Sequence, residues 1–434
     1  MKQISSKAIR ALAALLILGL APDPGSAQSG GVTLAQVLEL VRERNPRLRS
    51  AHARVQASEA REPAARTLPD PMLQVGAMNL ALPDLSADMA MSMAPSVQLM
   101  QMFPFPGKLG LRGEIAEDAT EMSAAGADET WWQVRTRAST LFYQLYAQDR
   151  SIEVMGATLD LLRDLEEIAR AMYESGTGRQ ADVLRATVEI ARIDGEIRRM
   201  EAMREVAAAR LNAVVDRPAE TPVPAPLLPA LPEEVPTKDT LLAWAEASRP
   251  ALRRGRIGVE RSESRLELAR KEIWPDLSMG LQYGQRDRGT GVERMGGIMF
   301  GLSLPVWAGR RQLRSRDEAR AGSLAARAEL EEVRASVRAE IGVELAELRR
   351  ARRLIELHRE EILPQARANV ESALSSYRVG SVDFATLVDA ELLVNRHEAE
   401  LHRLVAEYGT ALAALEKAVG RPLPDDGHLM AVHP

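Results

Sequence analysis

Methionine offers the clearest chemistry in this sequence. Seven of the 17 methionines lie between positions 72 and 102, and Met89, Met91 and Met93 alternate within one segment. Thioether sulfur is a soft ligand that selects ions such as Cu(I). Methionine is also an adaptable apolar filler, so the same cluster is compatible with a loop that packs on itself. The pattern therefore predicts either a soft-metal site at Met89, Met91 and Met93 or a self-packed loop.

The sequence gives little support for an enzyme. The sequence contains no cysteine, which excludes disulfides, thiolate metal sites and a cysteine nucleophile. His397 and His402 flank Glu398 in a pattern that suggests a zinc protease, but they are five positions apart instead of four and so lie on different helical faces. The sequence has no nucleophile elbow and no phosphate-binding loop. We therefore expect neither an enzyme nor a bound cofactor.

The charge balance is nearly neutral. Charged residues make up 27% of the chain, and the formal net charge is -5. A nucleic-acid-binding protein would carry a basic footprint that this composition lacks. No nucleic-acid partner is expected.

The first residues are typical of a secretory signal. Lys2, Lys7 and Arg10 precede an apolar run from Ala11 to Leu20, and small residues end at Ala27. This order predicts a signal peptide over residues 1–27, cleaved after Ala27. The apolar run is too short for a spanning helix, which needs about 20 residues. We expect the mature chain to be exported without a transmembrane helix.

One turn occurs twice, and it reveals an internal repeat. Residues 173–186 read YESGTGRQADVLRA and residues 377–390 read YRVGSVDFATLVDA. Three pairs of landmarks are separated by the same 204 positions: Gly176 and Gly380, Pro46 and Pro250, Pro218 and Pro422. A shared offset over such distances indicates a tandem repeat of one architecture. Its predicted parts are a first repeat at 28–216, a linker at 217–237, a second repeat at 238–423 and a tail at 424–434.

Each repeat predicts the same order of elements. A short helix ends at Asn45-Pro46 or Arg249-Pro250, and a second helix leads to two strands and a pair of long helices. Residues 109–172 contain no proline and show a coiled-coil seam, so one helix of about 96 Å is predicted there. The linker contains seven prolines and is expected to be extended.

The strands of the second repeat show a two-sided alternation. The apolar positions are Leu277, Met279, Leu281, Tyr283, Ile298, Phe300, Leu302 and Leu304, and the residues between them are mostly small or polar. A strand with lipid on one side and an aqueous lumen on the other has this signature. A strand that is half-buried in a soluble sheet has the same period, and the signal peptide and the repeat favour the membrane interpretation.

Four strands cannot close a barrel by themselves. The smallest transmembrane barrels have about eight strands, and an open edge in lipid leaves backbone groups without hydrogen-bond partners. Chains must therefore associate. Two copies would give a filled barrel of eight strands, whereas three would give twelve strands and room for a lumen.

The arrangement resembles a known family. The strand-strand-helix-helix order, the two Tyr-x-x-Gly turns, the proline-containing elbows and the Asn-Pro and Arg-Pro breaks are similar to the TolC family of bacterial outer-membrane efflux channels over residues 32–423. The resemblance implies an α+β homotrimer in outer-membrane lipid, with a twelve-stranded β-barrel continued by a long periplasmic α-helical barrel. It implies docking on a periplasmic adaptor (membrane fusion protein) and an inner-membrane pump, and passive export of solutes. The FPFPGK elbow at 103–108 resembles the heavy-metal branch, which keeps Cu(I) or Ag(I) export as a hypothesis.

The resemblance also marks site residues at the doubled turn. It implies adaptor contacts at Gly176, Thr177 and Gly178 in the first copy and at Gly380, Ser381 and Val382 in the second. Asp182 and Asp389 match acidic positions that ring the closed aperture, so they are the expected gate. The chain departs from the family at Thr386, where a further acid is common, and at Val382, where a basic residue is common. The simpler alternative is that the glycines end helices and the aspartates are solvated near helix N-termini.

A soluble periplasmic coiled-coil scaffold or adaptor is the competing hypothesis. Such a protein would share the signal peptide and the helical hairpins. It would not need two pairs of lipid-facing strands.

Overall fold

The computed structural model describes residues 30–78, 93–232, 235–287 and 291–423. The predicted signal peptide, Met89 and Met91, and the predicted tail at 424–434 lie outside the described residues.

In the described residues, the first repeat contains three strands and five helices, and one further strand follows in the linker. They are β1 (Val32–Thr33), α1 (Leu34–Arg44), α2 (Pro46–Glu59), α3 (Glu62–Arg66), β2 (Met72–Met78), β3 (Met93–Phe103), α4 (Lys108–Glu174), α5 (Gln180–Val214) and, after it in the linker, β4 (Pro226–Leu227).

The second repeat has the same plan. It comprises α6 (Lys238–Ser248), α7 (Pro250–Lys271), β5 (Leu277–Asp287), β6 (Val292–Leu302), α8 (Gln312–Leu357), a π-helical turn (His358–Ile362), α9 (Leu363–Arg378) and α10 (Phe384–Val419). The order of elements predicted from the sequence is therefore confirmed in both halves.

Local chemistry explains where the short helices begin and end. The Thr33 hydroxyl accepts from the Gln36 backbone N–H, and the Gln36 side chain accepts from the Thr33 N–H, so α1 starts with a capping box. At the Asn45-Pro46 break, the Asn45 side chain accepts from the N–H groups of Arg47 and Leu48, and its amide donates to the Val214 carbonyl. Asn45 therefore ends α1, caps α2 and hydrogen-bonds to the last residue of α5.

The structure adds helix breaks that the predicted order of elements does not contain. The second helix of the first repeat is interrupted between Glu59 and Glu62, and α7 ends at Lys271. The second long helix contains a π-helical turn directly before Pro364. Proline has no N–H to donate and its ring clashes with the preceding turn, so the wider turn accommodates a residue that an α-helix interior does not.

The long helices pack as two antiparallel hairpins, α4 with α5 and α8/α9 with α10. Helix α4 has 67 residues and spans about 100 Å at 1.5 Å per residue. A middle core surrounds Leu145, Leu241, Ile341 and Leu415, and a separate tip core surrounds Leu162, Phe384, Leu387 and Val388. None of the described helices contains an apolar stretch of membrane-spanning length.

The strands form one antiparallel sheet at the other end of the helices, in the order β2-β3-β5-β6. Strand β3 pairs with β5 over eight residue pairs, from Ser96 with Gly284 to Phe103 with Leu277, so the central pairing joins the two repeats. Strands β2 and β6 are left as the two outer edges.

The proline-rich linker is attached to the helical body. Its strand β4 pairs in parallel with β1, Leu231 is buried, and the Tyr408 hydroxyl donates to the Pro232 carbonyl. The described part of the linker therefore packs on the helical body and does not join the four-stranded sheet.

Candidate functional site at the helical tip

The first tip turn joins α4 to α5. Gly176 has φ of 78°, a left-handed conformation that glycine adopts without strain. The Met172 carbonyl accepts from the N–H groups of Thr177 at 2.9 Å and Gly178 at 2.8 Å. A Cβ on Gly178 would lie 2.8 Å from the Met172 Cβ, so this position has no room for a side chain. The backbone of the turn therefore accounts for glycine at both positions, 176 and 178.

The second tip turn has the same backbone design and a different helix cap. Gly380 has φ of 72°, and the Ser381 N–H donates to the Ser376 carbonyl at 2.9 Å. Asp383 caps α10 by accepting from the Thr386 N–H at 2.9 Å and from the Thr386 hydroxyl at 2.6 Å. These hydrogen bonds from Thr386 lower the pKa of the Asp383 carboxyl. Thr386 thus completes a cap at the position where an aperture acid was expected.

The two turns present different surfaces. Tyr173 of the first turn is 46% exposed, whereas its repeat counterpart Tyr377 is 8% exposed and packs edge-on against Phe384 with ring centroids 5.7 Å apart. Val382 packs on the tip core, while Thr177 and Ser381 are exposed. Of the predicted adaptor-contact residues, the exposed ones are Gly176, Thr177, Gly380 and Ser381, and Gly178 and Val382 are half-buried.

The two predicted gate residues have different neighbours. Asp389 accepts from Arg185 at 2.9 Å, which joins α10 of the second hairpin to α5 of the first. Asp182 lies in the first turn of α5, the favourable place for an acid. Burial raises the pKa of Tyr377, and the nearby negative charge of Asp182 raises it further. The structure places both aspartates at the tip, where Asp389 is hydrogen-bonded to the other hairpin and Asp182 lies within electrostatic reach of Tyr377.

Arg185, Tyr377 and Met172 are tip residues that the sequence analysis missed. The Tyr377 hydroxyl donates to the Met172 sulfur at 3.5 Å, a second link between the hairpins. Arg185 and Asp389 are 204 positions apart, so they occupy the same place in the two repeats. The repeat offset that identified the turns would also have paired these two residues.

Metal-binding side chains are sparse outside the methionines. Among the described residues, no group of three or more His, Cys, Asp or Glu side chains is arranged to hold an ion. His402 hydrogen-bonds to the Tyr146 hydroxyl at 3.2 Å, and His397 packs against His358. The two histidines thus have separate partners, as their spacing predicted. Met93 begins β3, and whether it acts with Met89 and Met91 stays a prediction.

The comparisons with known proteins give one family and one fold. The sequence matches the family described as "Outer membrane efflux protein" over residues 37–215 and 241–421. A search of curated protein sequences found no match.

Solved structures with the same fold include OprN, an outer-membrane channel, at 20% identity and a TM-score of 0.77, covering 89% of each chain. VceC, an outer membrane protein from Vibrio cholerae, has 18% identity and a TM-score of 0.76, covering 90% of this chain and 96% of VceC. CusC, a protein that forms a transmembrane channel, has 15% identity and a TM-score of 0.76, covering 89% of this chain and 92% of CusC. At these identities the likeness establishes the fold.

Proposed function

The chain belongs to the outer membrane efflux protein family, and from this premise we propose that three copies form the outer-membrane duct of a tripartite efflux system. The strands lie in the outer membrane and the long helices extend into the periplasm. The observation that carries the proposal is the match of the family to both repeats, together with a four-stranded sheet whose edges are open.

The open edges support a closed homotrimer. Strands β2 and β6 each have one side without a partner strand in the described chain. In lipid, unpaired backbone groups cost several kcal/mol each, so the edges must be paired. Pairing β6 of one copy with β2 of the next gives twelve strands from three copies, with space for a lumen.

The tip is the proposed contact with a periplasmic adaptor and, through it, with an inner-membrane pump. Its two turns are at the far end of the helices from the sheet. Thr177 and Ser381 are exposed there, with their hydroxyls donating to the carbonyls of Met172 and Ser376. The proposed adaptor contacts are Gly176, Thr177, Gly178, Gly380, Ser381 and Val382.

The proposed gate is formed by Asp182 and Asp389 with Arg185 as the partner of Asp389. The Arg185–Asp389 pair supports the proposal because it links the two hairpins close to the turns, and Asp182 lies near Tyr377 of the other hairpin. An aperture widens only if the hairpins separate, and separation breaks the Arg185–Asp389 ion pair. Transport of solutes through the duct is passive, because the inner-membrane pump supplies the energy.

The proposed cargo is a soft cation such as Cu(I) or Ag(I). Support comes from the number of thioethers near and on the strands, since sulfur ligands favour such ions. A soluble scaffold has no observation in its favour, because it would leave the apolar face of the sheet uncovered.

Membrane fractionation tests the duct. We expect the full chain in the outer-membrane fraction, resistant to salt extraction, as a trimer that dissociates only on heating. Recovery from the soluble periplasm would contradict the proposal.

Deletion of the gene tests the cargo. We expect lower tolerance of copper and silver, restored by the intact gene carried on a plasmid. Unchanged tolerance of both metals would contradict the metal cargo and leave the duct standing.

A further inference from the structure

The strand register sorts the sheet residues onto two faces. Leu73, Leu99, Leu281 and Ile298 are paired across the sheet and are all exposed, so they belong to the apolar face. Residues one position away belong to the opposite face, because side chains alternate along a strand. In β5 the members of that opposite face are Ser278, Gly280, Gln282 and Gly284.

The opposite face is the concave one. Gly280 and Gly284 are buried, and Ser278 and Gln282 are half-buried, whereas every β5 residue of the apolar face from Leu277 to Tyr283 is exposed. A sheet that curls toward one side shields the residues on that side. We call this the inner face, and in a closed barrel it lines the lumen.

Methionines form a row across the inner face. Met72 is paired with Met100, Met100 with Gly280, and Gly280 with Met299. The Met299 Cε lies 3.5 Å from the place where a Cβ on Gly280 would be, so this side chain leans over the glycine. Row one, defined as Met72, Met100 and Met299, therefore crosses the sheet at Gly280, which the Met299 side chain covers.

A second group of methionines lies nearer the end of the strands. A register shift between Gly76 and Met78 interrupts the alternation and pairs Met78 with Met93, and Met295 is paired with Gly284. The Met93 sulfur lies 2.7 Å from the place of a Cβ on Gly284, so it also covers a glycine. Row two, defined as Met78, Met93 and Met295, repeats the design of row one.

Glutamines separate the two rows. Gln74, Gln98 and Gln282 are paired across the sheet on the inner face. The Gln282 amide donates to the Met78 sulfur at 2.8 Å, and the Gln74 amide donates to the Met72 sulfur at 3.3 Å. Between the rows, the described strands have no charged side chain on this face.

Burial in lipid does not account for these methionines. The lipid-facing positions are mainly Leu, Ile, Val and Phe, with Met279 as the methionine among them. A lumen-facing position has water beside it, and polar side chains are expected there. Seven thioethers lie on the wet side, the six of the two rows and Met102, which is paired with Ser278. A ligand that prefers sulfur explains them better.

We propose that the two methionine rows are binding sites for Cu(I) or Ag(I) in the lumen of the barrel. The inference rests on the proposed metal export and names the residues that would contact the ion. Neutral thioethers leave the positive charge of the ion uncompensated, so each site binds weakly. Weak, successive sites suit conduction, since an ion must leave as readily as it enters.

Methyl NMR tests the sites directly. The purified trimer in detergent carries 13C-methyl methionine and is titrated with silver nitrate in chloride-free buffer. We expect the resonances of row one and row two to shift, with sodium nitrate leaving them unchanged. Silver that moves no resonance of either row, or that moves Met279 equally, would overturn the sites and leave methionine as a packing residue.

Matched leucine variants show which sulfurs bind. Met100→Leu with Met299→Leu removes two thioethers of row one at nearly constant volume, so the fold is retained. We expect the silver-induced shift of Met72 to disappear. Met279→Leu is the control on the lipid face, and it should leave the shifts of both rows unchanged. A Met72 shift that persists in the double variant would overturn row one.

The binding result and the deletion result are independent. Silver binding without any loss of silver tolerance on gene deletion supports the sites and contradicts metal export. Loss of tolerance without silver binding overturns the sites and supports export by a lumen that does not coordinate the ion.

Discussion

At the scale of single residues, the tip depends on a contact between repeat counterparts. Arg185 and Asp389 are 42% and 66% exposed, and exposed ion pairs contribute roughly 0–1 kcal/mol. A contact this weak adds little to the stability of the fold. It suits a latch, which must open when a partner binds.

Removing the latch should open the tip. We expect Arg185→Ala to increase single-channel conductance in planar bilayers, because the hairpins lose one of their links. Thermal stability should change little, since the pair is exposed. Arg198→Ala is the matched control, because Arg198 pairs with Asp194 within α5 and does not join the hairpins. Equal conductance in both variants would show that the Arg185 contact does not hold the aperture.

Some features of the tip are predictable from the sequence, and others depend on local contacts. The glycines of the doubled turn are recognisable from sequence because a left-handed turn has one preferred residue type. The partner of Asp389 follows from the repeat offset. The cap formed by Asp383 and Thr386 was missed, because the family pattern directed attention to an acid at position 386 and away from the local start of α10.

At the scale of elements, hydrogen bonds and a ring contact hold together the two segments that connect the sheet to the helices. The Lys108 ammonium is buried and donates to the Trp274 carbonyl at 2.8 Å and to Asp276 at 2.7 Å. Asp276 also accepts from the Phe105 N–H, and the Phe105 ring stacks on Trp274. Although partial burial raises the pKa of Asp276, the hydrogen bonds from Lys108 and Phe105 lower it overall. The junction thus joins the first strand-to-helix elbow to the second helix-to-strand elbow.

Breaking the buried pair should destabilise the junction. We expect Lys108→Met to lower the free energy of unfolding by about 3 kcal/mol, because it leaves Asp276 and a carbonyl without their donor. Thermal unfolding of the purified trimer measures the loss. Lys108→Met with Asp276→Asn should recover part of it, since no unpaired charge remains. Arg253→Ala is the surface control, and a loss as large as that of Lys108→Met would contradict the role of burial.

At the scale of the whole molecule, the open sheet requires neighbouring copies. Val75 on β2 and Gly296 on β6 face the same side, and two strands separate β2 from β6 within one chain. Three strand spacings are about 14 Å, whereas a disulfide needs Cα atoms within about 7 Å. A bond between these strands must therefore join two copies.

Cysteine cross-linking tests the closed ring. The native chain has no cysteine, so introduced thiols react without competition. Val75→Cys is combined in turn with Gly296→Cys, Ile298→Cys or Phe300→Cys, which samples three registers. We expect one combination to give cross-linked dimers and trimers on oxidation, and no such ladder from the single variants. Monomers alone in all three combinations would contradict pairing of β6 with β2.

Sequence by itself determined the repeat, the order of elements and the need for association. These follow from local rules: proline and asparagine end helices, alternation marks strands, and four strands cannot close in lipid. Tertiary structure decided which residues meet. The register of β2, β3, β5 and β6 collects methionines from 227 positions of sequence, Met72 to Met299, onto one face. In the sequence, the alternation of Met89, Met91 and Met93 is the more visible pattern, and it includes one member of the rows, Met93. Contacts between distant segments depend on strand register and helix packing, and a cluster of neighbours in sequence cannot reveal them.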